Sequence, residues 1–319
     1  MGVLDGRVAI ITGAGRGLGR EHALLMAEEG ARIVVNDLGG STDGTGSDSG
    51  PAQEVVDEIT ARGGEAVANA DDIADWDGGA RLIASAIDAF GRLDILVNNA
   101  GILRDRMLVN MSIEEWDAIS HVHLRGHFVP TRHAAAYWRD QSKAGNPISA
   151  SVINTSSGAG LFSNVGQSNY SAAKAGIAAF GLVAAQELGR YGVRVNTIAP
   201  VARTRLTLQT PGLGDAVKAP EDPNAYDPWA PGNISPLVAY LAMADCPFTG
   251  GVFHVGGGEV GLVHGWTLGE MIVSPDERTW KIEDLAAEAK KLLDGRPDIA
   301  SIGSTLEGVF ASFTQRYMS

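Results

Sequence analysis

Short apolar, β-branched runs alternate with longer amphipathic segments along most of this chain. The runs are Val8–Thr12, Arg32–Asn36, Glu65–Asn69, Leu93–Asn98, Ala150–Asn154, Arg194–Ile198 and Gly251–Val255. Most are continuously apolar rather than alternating, the pattern of strands buried on both faces. Helical periodicity fills the intervals at Gly17–Glu29, Pro51–Arg62, Asp75–Phe90, Ile113–Ser142, Gln167–Tyr191 and Ser235–Ala244. Strands joined by helical crossovers predict an α/β fold, a doubly wound parallel sheet of about seven strands with helices on both faces. Residues 1–262 complete that unit as a single domain, and 263–319 form a C-terminal extension. The extension carries a predicted helix at Ile282–Leu293 and an apolar segment, Leu306–Phe313, read as a surface wrap or subunit contact. Residues 39–50 (GGSTDGTGSDSG) interrupt the alternation as a polar loop with the composition of a flexible linker.

Composition changes the picture in one respect. Of 319 residues, 41 are glycine, and they cluster at 13–19, 39–50 and 250–269, where backbone must turn sharply or approach something closely. The third cluster, with Gly256-Gly257-Gly258, reads as the place where the chain leaves the sheet edge. Charge narrows the partners: 25 Lys and Arg against 38 Asp and Glu leave −13, a poor match for nucleic acid. The single cysteine, Cys246, can form no intrachain disulfide, and no Cys/His spacing suits a metal. Neither an N-terminal signal core nor an apolar run of membrane-spanning length occurs, so a soluble, cytoplasmic protein is expected.

The first glycine cluster has a specific chemistry. Thr12-Gly13-Ala14-Gly15-Arg16-Gly17-Leu18-Gly19 follows the first strand and opens the first helix. Gly13, Gly17 and Gly19 let the turn fold tightly, and with Arg16 and Leu18 they present backbone N–H groups and a helix N-terminus to a pyrophosphate. Asp37 ends the second strand about 20 residues on, where a carboxylate accepts from ribose hydroxyls and repels a 2′-phosphate. NAD is therefore expected over NADP, although Arg16 is placed to pair with a 2′-phosphate. Asp72 and Ile73 end the third strand, facing the adenine edge unless Asp72 is merely a solvated loop acid. Asn99, Ala100 and Gly101 end the fourth, beside the point where the strand order reverses. This is a Rossmann-type nucleotide site.

A second constellation supplies the reaction. Tyr170-Ser171-Ala172-Ala173-Lys174 puts a phenol and an ammonium four residues apart on one helical face. A tyrosine ordinarily has a pKa of about 10, and the nearby cation is expected to lower it. Ser157, thirteen residues upstream beyond the fifth strand, can bond a substrate carbonyl or alkoxide, with Ser156 as its rival. No G-x-S-x-G elbow accompanies it, so serine hydrolysis is excluded.

TGAGRGLG, NNAG at 98–101, Ser157, YSAAK and the IAP of Ile198–Pro200 occur together in an order and spacing that resembles the short-chain dehydrogenase/reductase superfamily. The likeness covers residue 4 to about 262. VNDLGG, NNAGILRDR, VHLRG and GQSNYSAAK, with the Gly265–Gly269 stretch, are more narrowly similar to the (3R)-hydroxyacyl-CoA dehydrogenase domain of peroxisomal multifunctional enzymes. The resemblance implies Tyr170 as acid/base, Lys174 as its activator and a ribose ligand, Ser157 as carbonyl orienter, and Pro200 and Thr204 beside the carboxamide. His123 stands where many members carry an asparagine of a proton relay; a satisfied helix histidine is the equal alternative. It also implies NAD as cofactor and a homodimer or homotetramer.

After Pro200 comes a segment that in this family is a substrate lid. Arg104, Arg106, Arg203 and Arg205 stand near the expected mouth and would suit an anionic acyl-CoA, unless they are paired locally, for example with Asp105. The expected activity is hydride transfer between NAD and the secondary alcohol of a 3-hydroxyacyl-CoA, with a fatty or steroid side chain, in β-oxidation. A hydroxysteroid dehydrogenase or 3-ketoacyl-carrier-protein reductase, and a non-catalytic dinucleotide-binding protein, stand as alternatives.

Overall fold

The computed structural model describes residues 2–41, 43–46, 50–209, 217–222, 225–266, 268, 271–274, 279–293 and 315. One sheet organises them, with strand order β3-β2-β1-β4-β5-β6-β7-β8. Strands β1 (Val8–Thr12), β2 (Arg32–Asn36), β3 (Ala66–Asn69), β4 (Ile95–Asn98), β5 (Ala150–Thr155), β6 (Val193–Val201) and β7 (Val252–Gly256) are parallel. Helices α1 (Gly17–Glu28), α2 (Gly50–Ala61) and α9 (Ser235–Ala242) cover one face; α3 (Trp76–Phe90), α5 (Gly126–Lys143) and α7 (Ser168–Leu188) cover the other. The continuous apolar strands explain both layers at once. In β1, Ala9 and Ile11 pack with the α1 layer, whereas Val8 and Ile10 pack with the α3 layer.

The sheet has one strand more than the sequence predicts. β8 (Glu259–Leu262) runs antiparallel to β7, with Gly256 opposite Glu259. Gly257 and Gly258 form a two-residue hairpin turn, and Gly257 holds φ at +52°, a conformation that glycine adopts freely. The triple glycine is thus not an exit from the sheet but a reversal that adds an edge strand.

The segment predicted as one helix, Ile113–Ser142, is three. α4 (Ile113–Ile119) starts at a capping box in which Glu115 N donates to Ser112 Oγ and Ser112 N to Glu115 Oε2. A π-helical turn, Ser120–Arg125, follows, and then α5, which contains Pro130. Wide turns of this kind re-aim side chains and recur at functional sites. Here the turn carries His123 into the interior, 1% exposed.

Two further helices bear on the site: α6 (Gly158–Phe162) after β5, and α8 (Arg205–Gln209) after β6. The polar loop after β2 is bonded to itself and to the rest of the fold. Ser41, Asp43 and Thr45 hydrogen-bond one another, and Arg104 Nε donates to the Asp43 carbonyl at 3.0 Å. In the extension, α10 (Ile282–Glu288) continues as a 3₁₀ turn to Leu293, matching the predicted helix. Leu306–Phe313 lies outside the described residues. Among the described residues, no helix is long and apolar enough to cross a membrane.

Candidate active site

Strand order reverses between β1 and β4, and a crevice opens at their carboxyl ends. Thr12 ties the two strand ends together. Its Oγ1 accepts from Asn99 N at 2.9 Å and Ala100 N at 3.1 Å, while Asn99 Nδ2 donates to the Thr12 and Gly13 carbonyls at 3.0 and 3.2 Å. The result is a cleft of about 320 Å³. Every catalytic and cofactor-binding residue singled out in the sequence lines it except Gly19, which is buried behind the turn; of the four mouth arginines only Arg205 does.

Close packing explains the glycines. Gly13 holds φ at +63°, and a Cβ there would sit 2.7 Å from Ala100 Cα; at Gly19 it would sit 2.3 Å from the Gly13 carbonyl oxygen. Helix α1 begins from Arg16 with no side-chain cap and no acid in its first turn. Its leading N–H groups are therefore free of internal competition for an anion. This donor set fits a dinucleotide pyrophosphate. Gly13→Val combines left-handed strain of roughly 1–2 kcal/mol with that clash. NADH fluorescence titration is expected to show at least about tenfold weaker binding, on the scale of 1.4 kcal/mol per decade.

At one end of the cleft stands Asp37. Its Oδ2 accepts from Gly15 N at 2.8 Å and its Oδ1 from Gly39 N at 2.7 Å, fixing the carboxylate between the glycine turn and the polar loop. Gly40, Ser41 and Gly44 of that loop also line the cleft. Asp72 and Ile73 lie nearby, with Asp72 Oδ1 accepting from Ala74 N at 2.8 Å.

Ser157, Tyr170 and Lys174 come together at the other end. Ser157 follows β5 and caps α6, its Oγ accepting from Ala159 N at 3.2 Å. It also stands close enough to the Tyr170 phenol to favour its ionised form. The rival hydroxyl of Ser156 turns into α7 and donates to the Lys174 carbonyl at 2.7 Å. Lys174 Nζ stands 5.6 Å from the Tyr170 ring centroid and donates to the Thr155 carbonyl at 2.6 Å.

The electrostatics reverse the expectation that Lys174 lowers the phenol. Burial pushes Tyr170 up to about 12, with Asp105 acting the same way and Ser157 opposing. Burial also pulls Lys174 down to about 7. The physical reason is that desolvation penalises the charged form of each, phenolate and ammonium alike.

His123 is not bonded to Lys174. Its Nε2 lies 2.8 Å from the Ile102 carbonyl oxygen and 3.1 Å from Ile102 N, and its ring stands edge-on to Tyr170 with centroids 5.1 Å apart. Burial holds its pKa well below the usual histidine value. It is a neutral ring behind the phenol.

The arginine cluster at the mouth largely dissolves. Arg106 pairs with Glu115, Arg203 with Asp227, and Arg104 bonds the Asp43 carbonyl. Asp105 pairs with none of them; it accepts from Gln167 Nε2 at 2.7 Å. Arg205 makes no ion pair among the described residues, and it lines the cleft near Arg16 and Asp37. Thr204 Oγ1 accepts from Thr207 N at 3.2 Å, and Pro200 lines the cleft from β6. Sequence reasoning passed over Asn164 and Gln167, which also line the cleft and bond each other at 2.9 Å. Their only signal was three amides, with Asn169, within six residues upstream of Tyr170.

A doubly wound sheet with this turn, this acid and this Ser-Tyr-Lys set defines a dinucleotide-dependent oxidoreductase class. The chain belongs to the short chain dehydrogenase family, whose pattern matches residues 7–209. Its dehydrogenases use a nicotinamide dinucleotide, NAD or NADP. A Mycobacterium tuberculosis protein named hydroxyacyl-CoA dehydrogenase ChsB1 is 47% identical over 309 residues, covering 95% of this chain and 93% of that one. Peroxisomal multifunctional enzyme type 2 of Mus musculus is 43% identical over 270 residues, 84% of this chain but 34% of that enzyme. The crystal structure of a short chain dehydrogenase from Mycobacterium avium superposes with a TM-score of 0.82 at 52% identity, covering 93% of this chain and 98% of that one.

Proposed function

We propose that this chain is an NAD-preferring dehydrogenase of 3-hydroxyacyl-CoA thioesters, serving β-oxidation of fatty or steroid side chains. The observation that carries the reaction is the meeting of Ser157, Tyr170 and Lys174 at one end of a cleft whose other end is Asp37. The substrate class rests on the relatives named hydroxyacyl-CoA dehydrogenase and peroxisomal multifunctional enzyme. A bound nicotinamide supplies the hydride acceptor. The chain's own residues do the rest. Ser157 Oγ holds the reacting oxygen; the Tyr170 phenol gives its proton to that oxygen in reduction, and for oxidation it must first lose its proton so that the phenolate can take the alcohol's. Lys174, fixed by the Thr155 carbonyl, places its charge beneath the phenol. Asn164 and Gln167 supply amides at the substrate side of the cleft.

The test is cofactor reduction measured with 3-hydroxyacyl-CoA esters and with free hydroxysteroids, each with NAD and with NADP. Turnover of CoA esters with NAD is the expected result; turnover of free steroids alone would reject the substrate class. NADP has one observation in its favour, the two guanidiniums of Arg16 and Arg205 beside Asp37. Asp37 is proposed to outweigh them by repelling a 2′-phosphate. Asp37→Ser is accordingly expected to reduce the ratio of kcat/KM for NAD over NADP by about tenfold or more, one lost charge-assisted contact being worth roughly 1.5–3 kcal/mol. An unchanged ratio would remove Asp37 from cofactor choice.

A further inference from the structure

Asp105 is a carboxylate to which the mechanism above gives no role. It lies partly buried in the loop after β4, and the arginines on either side are engaged elsewhere, Arg104 with the Asp43 carbonyl and Arg106 with Glu115. Its Oδ2 accepts from Gln167 Nε2 at 2.7 Å, and Gln167 Oε1 in turn accepts from Asn164 Nδ2 at 2.9 Å. Both amides line the cleft. Backbone on each side of Asp105 presets the contact. Arg106 N donates to the Gly166 carbonyl at 2.8 Å, and Asn169 Nδ2 donates to the Arg104 carbonyl at 3.0 Å. The loop after β4 is thus stitched to the start of α7, with Asp105 between the stitches.

The chemistry of these three side chains gives the chain of bonds a direction. An amide can present either its oxygen or its nitrogen to a neighbour, and its partners decide which. A carboxylate only accepts, so Gln167 must turn Nε2 toward Asp105. Its Oε1 is then left for Asn164, which must answer with Nδ2. Turning either amide over would set oxygen against oxygen in a partly buried wall. Asp105 Oδ1 sharpens the bias: it is buried without a hydrogen-bond partner, so Gln167 is the donor on which the carboxylate relies. Burial pushes the Asp105 carboxyl up, and the Gln167 bond opposes that shift. Gln167 Nε2 spends one N–H on Asp105. It keeps a second.

The position of Gln167 limits what that second N–H can meet. It stands on the cleft wall three residues before Tyr170, and the Asp105 charge reaches the phenol. A 3-hydroxyacyl thioester carries its carbonyl next but one to the carbon that Ser157 and Tyr170 serve. That oxygen only accepts, and it needs a donor from the wall. We propose that Asp105 is a positioning residue for substrate recognition: it holds the Gln167 amide with an N–H available to the thioester carbonyl. This role rests on the reading of the substrate as a 3-hydroxyacyl thioester.

Asp105→Asn keeps the shape and reverses the direction. An amide there would bury its NH2 without an acceptor where Oδ1 now lies, so it turns that NH2 toward Gln167. Gln167 then turns over and sets Oε1 against the substrate carbonyl. The quantity to measure is kcat/KM for a 3-hydroxyacyl-CoA ester divided by kcat/KM for the matching thioether, whose first carbon is a methylene. Both substrates react at the same carbinol, so the ratio cancels any change that acts through Tyr170. It is expected to fall by about tenfold in Asp105→Asn, the scale of one hydrogen bond lost with its partner left bare. Gln167→Met, which deletes the donor at similar length, is expected to lower it as far. Adding Asp105→Asn to Gln167→Met should lower it no further, because the carboxylate acts through the amide. Asp105→Ala, which removes the acceptor outright, is the second variant at this position, and thermal melting with NADH titration identifies the proteins that fold. A parent-like ratio in a folded Asp105 variant, or a further fall in the double variant, overturns the role of Asp105 and leaves the substrate class standing. A parent protein that turns over no thioester rejects the substrate class, and this role with it.

Discussion

Tyr170→Phe is expected to reduce kcat for alcohol oxidation by about 10²–10⁴-fold, the usual contribution of a positioned acid/base group. Reduced dinucleotide should bind within about twofold of its parent affinity, because no contact made by the phenol oxygen holds the glycine turn or Asp37 in place. The substitution removes one oxygen and keeps the ring that packs edge-on against His123. It also deletes a hydroxyl whose ionised form burial disfavours, with the pKa pushed up to about 12. At neutral pH the phenol is protonated in the folded and unfolded chain alike, so that shift adds nothing to stability there. Steady-state turnover and NADH titration on the same preparation separate the two effects. Full activity in the variant would show that proton transfer runs through another group, and would return the chain to the reading of a dinucleotide binder with a decorative tyrosine.

The second large effect is on stability in mild acid. His22 and His127 are fully buried, and each is held down at about 3 by desolvation. In the unfolded chain each would titrate near 6.5. The folded values are depressed, so the unfolded state binds more protons below that point, and stability is complete above about pH 6.5 and lost as pH falls toward 3. Each group contributes a slope of about 1.36 kcal/mol per pH unit. Two groups acting over one and a half units amount to about 4 kcal/mol lost by pH 5, a large share of a typical 5–15 kcal/mol. His123 adds to the loss in the same direction. Lys174, pulled down to about 7, adds a slope of the same sign at the upper end of this window and little below pH 6, where it is protonated in both states. Urea unfolding at pH 7.5, 6 and 5 should show the midpoint falling steadily. His22→Gln, which removes a histidine bonded to Ser235 Oγ at 2.8 Å far from the catalytic end, should flatten the dependence by about a third. A midpoint independent of pH across that range would mean that these rings are hydrated or paired in solution.

Much of the site could be read directly because its chemistry is local. The turn from Gly13 to Gly19 joins one strand to one helix, so spacing alone reports it. Tyr170 and Lys174 share a helical face by periodicity, and Asp37 ends a strand that apolar patterning marks. What could not be read depends on residues remote in sequence. Asn164 and Gln167 are amides with no pattern of their own until α7 folds against the Asp105 segment, where Arg106 bridges Gln167. The arginines at the mouth looked like an anion site because their partners, Glu115 and Asp227, are 9 and 24 residues away. The eighth strand hid behind three glycines whose composition fits an exit and a hairpin equally well.

The sequence by itself marked seven of the eight strands, the glycine turn and the facing pair Tyr170 and Lys174, since each follows from periodicity or from short-range spacing, and its resemblance added Ser157 as their proposed partner. Only the tertiary structure decided the state of that trio. Burial depth is a property of the packed whole, and it raises Tyr170, lowers Lys174 and leaves His123 and His127 neutral. A cation four residues from a phenol says that the two can interact. Whether the cation survives there depends on how deeply the packed helices bury it and on β5 offering it the Thr155 carbonyl.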